Sequence, residues 1–298
     1  MTATVRLPSP RATSGHGAAR ARRRWRAGWV LPPLLVLAAL VFYPLVFLVR
    51  QSLSDKDTGA WRGVSAYTQV FDTVFFQQAL FATIKVAVLS TIGCLVVGFV
   101  LAFIVAFVPF PGSRMVSRFI DVYVSFPSFL IALSFTFLYG QAGVFNAVAE
   151  RLLGVSAPPL TFLYSIWGVV LAEVTFYTPF VMRPLLGAFS LLDPATVEVA
   201  SSLGARPWRV IRRIVLPEAM PAVLAGGSLC LLLTLNEYGI VAFIGVKSVI
   251  TLPLYIYSKA INEFDYTSAC VAAVVDIVLS LALYALYRLL LNRTGGDR

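Results

Sequence analysis

Six long apolar runs order this chain, at about 29–49, 80–108, 119–139, 164–189, 219–244 and 268–291. None alternates as a half-buried strand does, and none keeps the single polar face of a soluble amphipathic helix. Each reaches the roughly 20 residues that a helix needs to cross a bilayer. The pattern predicts an all-α fold, a polytopic transmembrane helical bundle of six spans. Pro44, Pro127 and Pro179 fall inside runs. Membrane helices tolerate this where neighbours satisfy the freed carbonyls.

The polar intervals give the organisation. Residues 1–28 are rich in Arg, Ala, Ser and Pro, the composition of a disordered basic tail. The run that follows is longer than a signal-peptide core and lacks a small-residue cleavage site, so the first span is read as retained. Residues 29–79 hold that span and an external loop, and 80–291 form a core of five spans. Residues 292–298 are a second tail. A loop at 143–161 is expected to carry a short interfacial helix near 144–153.

The interval 193–217 reads DPATVEVASSLGARPWRVIRRIVLP. Asp193 is a good N-cap and Pro194 suits the first helical position. A short helix to Leu203 would end at Gly204 in a left-handed cap. A second short helix is expected from Pro207 through Ile214, stopped by Leu216 and Pro217. Two short helices on a glycine turn would make a rigid knob. The small Ala200 and Gly204 would let another surface approach closely.

Composition agrees with the membrane class: 59% of the 298 residues are hydrophobic and 13% charged, against about a quarter charged in soluble domains. The net charge of +10 reflects topology rather than nucleic-acid binding. Sixteen Lys and Arg residues fall on the side holding both tails and the 193–217 loop, and six fall on the other. The basic side is therefore expected to be cytoplasmic, with both termini inside. Anionic membrane lipid would face the tail arginines. Cys94, Cys230 and Cys270 lie in or beside spans and match no metal spacing, so they read as free thiols. His16 is the one histidine, and no phosphate-loop motif occurs. Neither a metal site, a cofactor site nor a catalytic constellation is expected, so the chain is not read as an enzyme.

Three acidic residues fall well inside spans: Glu173, Glu237 and Asp276. Charged groups are costly in lipid and should face the bundle interior or a watery cavity. With Asn236 and Tyr238, in what the pattern makes the middle of the fifth helix, they are candidates for lining a substrate path. An acidic lining would suit a solute with a cationic end. Packing by hydrogen bonds between helices is the structural alternative.

Glu198, Ala200, Gly204, Ile214, Leu216 and Pro217 stand at spacings that resemble the EAA loop of permease subunits of ATP-binding-cassette importers. The position after Glu198 is Val199 rather than the family's Ala. Residues 80–291 resemble the type I importer permeases. The stretch from Asn236 to Cys270 is similar to the branch that handles polyamines, ferric iron, thiamine and 2-aminoethylphosphonate, with LPLYIYSKA at 252–260 most like the last. The resemblance implies a plasma-membrane permease that carries a small polar solute. It also implies a second permease subunit, either a copy of this chain or a different one. Cytoplasmic ATP-binding subunits would dock on the 193–217 loop, and an extracytoplasmic substrate-binding protein would deliver the solute. An ion-coupled secondary transporter would also use intramembrane carboxylates. It would not call for the fixed-spacing loop, and the inverted repeat frequent in such transporters is not evident.

Overall fold

A computed structural model describes residues 16–55, 58–108, 111–154, 158–245 and 249–295. The first fifteen residues of the basic tail, Lys56, Lys247 and the last three residues lie outside it. All regular elements among the described residues are helical. Six segments are long and apolar enough to cross a bilayer.

The chain divides into two units, residues 1–50 and 51–298. The first is dominated by α1 (His16–Ser52), which contains Pro32, Pro33 and Pro44. The expected disordered tail to residue 28 is thus helical from His16 onward. From Leu31 its apolar side chains, Leu40 and Phe42 among them, are exposed, as on a helix solvated by lipid.

The second unit is built on α3 (Val74–Phe107), α7 (Ile166–Ser190) and α10 (Leu216–Leu235), which pack on one another. Their shared core includes Cys94, Val181, Leu185 and Cys230. Lipid gives no hydrophobic drive for helices to associate, so close van der Waals packing must do it. Small residues allow that here. A Cβ at Gly226 would stand 3.0 Å from Val181 Cα on α7. A Cβ at Gly227 would collide with the Tyr287 hydroxyl of α13 (Tyr266–Gly295). Tyr287 instead donates to the Val223 carbonyl at 3.1 Å. Short helices complete the unit: α2 (Ser65–Phe71), α4 (Ser113–Tyr123), α5 (Ser128–Tyr139), α6 (Val144–Leu153), α8 (Pro194–Ser202), α9 (Pro207–Val210), α11 (Gly239–Ile244) and α12 (Leu252–Tyr257). A short helix stands where one was expected near 144–153, α6, but it falls within Ser128–Leu153, a segment long and apolar enough to cross a bilayer.

Three sequence expectations need correction. The run at 119–139 is not one helix. α4 ends at Tyr123, and Pro127, with ψ 141°, starts α5. α5 has 12 residues, about 18 Å at 1.5 Å per residue, too short to cross alone. The third segment long and apolar enough to cross is instead Ser128–Leu153, through α5 and α6, and the Tyr123 hydroxyl at the end of α4 donates to the Thr175 carbonyl of α7 at 3.2 Å. Second, the helix from Pro207 does not stop at Leu216–Pro217. A π-helical turn, Ile211–Val215, joins α9 to α10, and the Leu216 amide donates five residues back to Ile211. That wider turn moves the carbonyls with which the Pro217 ring would otherwise clash. Third, the run at 219–244 breaks at Asn236 to Tyr238, between α10 and α11. Glu237 is therefore in a gap between helices, not in mid-helix.

Candidate functional site

The 193–217 knob forms as its residues dictate. Asp193 accepts from the Ala195 amide at 3.0 Å, and Pro194 opens α8. Gly204 has φ 78°, a left-handed conformation that strains any residue with a Cβ. The Gly204 amide donates to Ser201 at 2.9 Å and the Ala205 amide to Ala200 at 3.1 Å. Both C-terminal carbonyls are thus satisfied by the paired bonds of a Schellman cap.

The knob has two faces. Val197, Ala200, Ala205 and Ile214 pack against the bundle core, and Leu216 and Pro217 are partly buried. Ala200 packs inward on the bundle core, where its small side chain fits. Glu198 and Gly204 are exposed, as are their sequence neighbours Val199 and Leu203 (83% exposed), and Leu191 (87%) just before the interval. Sequence reasoning passed over Leu191 and Leu203, whose signal was a large apolar residue in a polar interval. Val199, a departure from the family pattern, lies on the outward face.

The second candidate region is polar and internal. Glu237 is 6% exposed, and both of its carboxylate oxygens have partners. Oε1 accepts from Ser128 Oγ of α5 at 3.0 Å and from the Ile240 amide at 2.7 Å. Oε2 accepts from the Tyr177 hydroxyl of α7. One side chain ties α5 and α7 to the first turn of α11. Glu173 is fully buried beside Ser90, and among the described residues no hydrogen bond within ordinary geometry reaches its carboxylate oxygens or Ser90 Oγ. Asp276 is 7% exposed, with Oδ1 unpartnered. Asn236 is exposed, and its amide nitrogen donates to the Leu232 carbonyl at 2.9 Å and reaches Ser280 Oγ at 3.5 Å. The Tyr238 ring packs on Tyr257, centroids 5.0 Å apart. The structure thus joins Glu237 to Ser128 and Tyr177, and Asn236 to Ser280. No bond links Glu173 or Asp276 to them among the described residues.

Two buried polar residues escaped the sequence reading. Asn146 of α6 donates to the Gly140 and Leu160 carbonyls at 2.8 and 2.9 Å and accepts from the Leu160 amide at 2.8 Å. Thr83 accepts from the Leu252 amide at 2.7 Å, which fixes the start of α12 on α3. Neither stands out by spacing or charge. The three cysteines are free, with Cys94 and Cys230 buried. No cluster able to hold a metal ion occurs among the described residues.

Comparison with known proteins places this architecture. A candidate 2-aminoethylphosphonate transport system permease protein, PhnU of Salmonella typhimurium, is 51% identical over 267 residues, 90% of this chain and 93% of that one. The spermidine/putrescine transport system permease protein PotC of Haemophilus influenzae is 27% identical, covering 88% of this chain and 96% of its own. The fold is similar to that in the crystal structure of a bacterial alginate ABC transporter in complex with an alginate pentasaccharide-bound periplasmic protein. There the TM-score is 0.77 at 18% identity, covering 93% of this chain and 97% of that one. Residues 94–296 match the family of binding-protein-dependent transport system inner membrane components. The chain belongs to that family, as a multi-pass inner-membrane permease subunit of an ABC importer.

Proposed function

We propose that this permease carries 2-aminoethylphosphonate inward, and that separate ATP-binding subunits drive it by docking on the outer face of α8. The observation that carries the docking reading is the two-faced knob. Its inner face is locked to the bundle, while Glu198, Val199 and Leu203 are exposed beside a left-handed glycine turn. A rigid knob transmits motion to α7 and α10, the helices on either side of it. The substrate assignment rests on the 51% identity to PhnU. An extracytoplasmic binding protein would supply the solute, and a second permease subunit would complete the path. The basic asymmetry of the sequence supports termini on the cytoplasmic side. Within the path, Asn236 and Tyr238 are the candidates that keep partly open surfaces. Glu173, Glu237 and Asp276 shape it from inside the bundle.

The test is uptake of radiolabelled 2-aminoethylphosphonate in cells lacking the native gene. The wild-type chain restores uptake. Excess unlabelled 2-aminoethylphosphonate competes, whereas putrescine, thiamine or ferric iron does not. Gly204→Asp, which adds a charge and a Cβ at φ 78°, abolishes uptake at normal membrane abundance. Uptake unaffected by Gly204→Asp would remove the docking role. Restored uptake of a polyamine instead would remove the substrate.

A further inference from the structure

A groove of about 540 Å³ runs between α3, α7 and the helix that starts at Pro207. Phe99, Val100 and Phe103 of α3 form one wall, Leu185 of α7 closes its side, and Ile211 and Val223 form the other wall. Arg212 is the one charged residue among the described residues lining it. Arg212 has no ion pair or hydrogen bond among the described residues. Trp208, 70% exposed, also lines the groove. Positions 208, 211, 212, 216 and 223 recur at helical spacing, so one face of the α9 to α10 helix presents them together.

We infer that this groove holds an anionic phospholipid, its phosphate on Arg212 and an acyl chain along α3. Three features favour a lipid. The recess is apolar along its length and charged at one end, matching an amphiphile whose head is an anion. The charge is a guanidinium, whose planar donors suit a phosphate and which has no partner among the described residues. Trp208 sits beside it, and indole rings favour the level of the headgroups. The charged end is also the end that carries Arg206, Arg209 and Arg213, all exposed. Their summed field attracts anionic lipid. Trp208 and Arg212 follow the α8 knob directly, so the bound lipid would steady the segment through which the motor acts. This goes beyond the transport reading and does not depend on the substrate.

The full chain is extracted in mild detergent from membranes containing phosphatidylglycerol, and the retained lipids are weighed by mass spectrometry. Wild type retains phosphatidylglycerol in excess of its share of the membrane. Arg212→Gln loses a charge-assisted contact, which lowers retention on the order of tenfold. Arg212→Lys keeps the charge and most of the lipid, and Val100→Phe fills the groove and loses it. Should Arg212→Gln fail to fold, wild-type chain in phosphatidylcholine nanodiscs gives the second measurement. Brominated phosphatidylglycerol then quenches the Trp208 part of the fluorescence, isolated by difference from Trp208→Phe, more than brominated phosphatidylcholine does. Retention at bulk proportion, equal retention by Arg212→Gln or equal quenching by both lipids would overturn the assignment. So would a disulfide between cysteines placed at Val100 in the two permease subunits of the complex, since a second subunit would then cover the groove.

Discussion

Replacing Glu237 separates a strut from a substrate contact. Its carboxylate takes three hydrogen bonds, from Ser128, Tyr177 and the Ile240 amide. Glu237→Ala leaves those three donors without an acceptor. Bonds between helices in membranes average only about 0.6 kcal/mol, because the unfolded chain in the membrane also finds partners. Two such bonds plus one backbone amide at about 1 kcal/mol give a floor of about 2 kcal/mol. Breaking a buried charged network gives a ceiling of about 5 kcal/mol. Glu237→Gln keeps one carbonyl oxygen for Ser128 and Ile240, and the Tyr177 hydroxyl can turn to accept from the new amide. Its cost should stay near 1 kcal/mol. Thermal unfolding of the detergent-purified permease reads the difference. At about 2–4 °C per kcal/mol, a scale set by chains of 150–250 residues, the Ala variant should melt at least about 4 °C lower. The Gln variant should melt close to wild type and transport normally per folded complex. If Glu237→Ala melted with the wild type while uptake vanished, the carboxylate would be acting on the solute and the strut account would be refuted.

Two further substitutions test the packing. Gly227→Ala places a Cβ against Tyr287 and 3.0 Å from Leu95, so it should destabilise by about 1–3 kcal/mol. Adding Tyr287→Leu should recover most of that, and purely additive melting shifts would show that the contact is not the cause. Asn146→Ala removes three hydrogen bonds that hold Gly140 and Leu160 together. Protease cleavage within 140–165 should accelerate by at least about tenfold, on the order of 1.4 kcal/mol of local opening, and unchanged cleavage would deny the clamp.

The spans were legible because crossing a bilayer demands a long apolar run, and little else in a sequence resembles one. The knob was legible because caps and turns are local chemistry: Asp193, Pro194 and Gly204 each do what their backbone preferences require. What the sequence did not disclose is decided by partners far along the chain. Pro127 begins a helix, whereas Pro179 and Pro184 sit inside α7. The residue type is the same, and the neighbours make the difference. Ala200 could be small for an outside partner or for the bundle, and only packing distinguishes the two. The tie between Ser128 and Glu237 spans 109 residues, beyond the reach of any local pattern.

That tie also explains why two helices can break inside an apolar environment. A broken membrane helix frees backbone groups that lipid cannot satisfy, so each break needs protein around it. Here the two breaks answer one another. Ser128 opens α5 just after the first, and Glu237 lies in the second and caps α11 through the Ile240 amide. Gly239 lets the chains close, since a Cβ there would come within 3.0 Å of Ser128 Oγ. Phe129 and Phe243 then stack at 5.1 Å along the same pair of helices. α5 and α11 are thereby joined to each other by a polar knot at one end and an aromatic contact beside it. Both remain separated from α4 and α10 by non-helical steps. The Glu237 carboxylate also accepts from Tyr177 of α7, so the pair is anchored to the bundle core at the break itself. The carboxylate inside the bundle is thus what permits the irregular backbone, and the irregular backbone is what leaves Asn236 exposed and Tyr238 partly exposed.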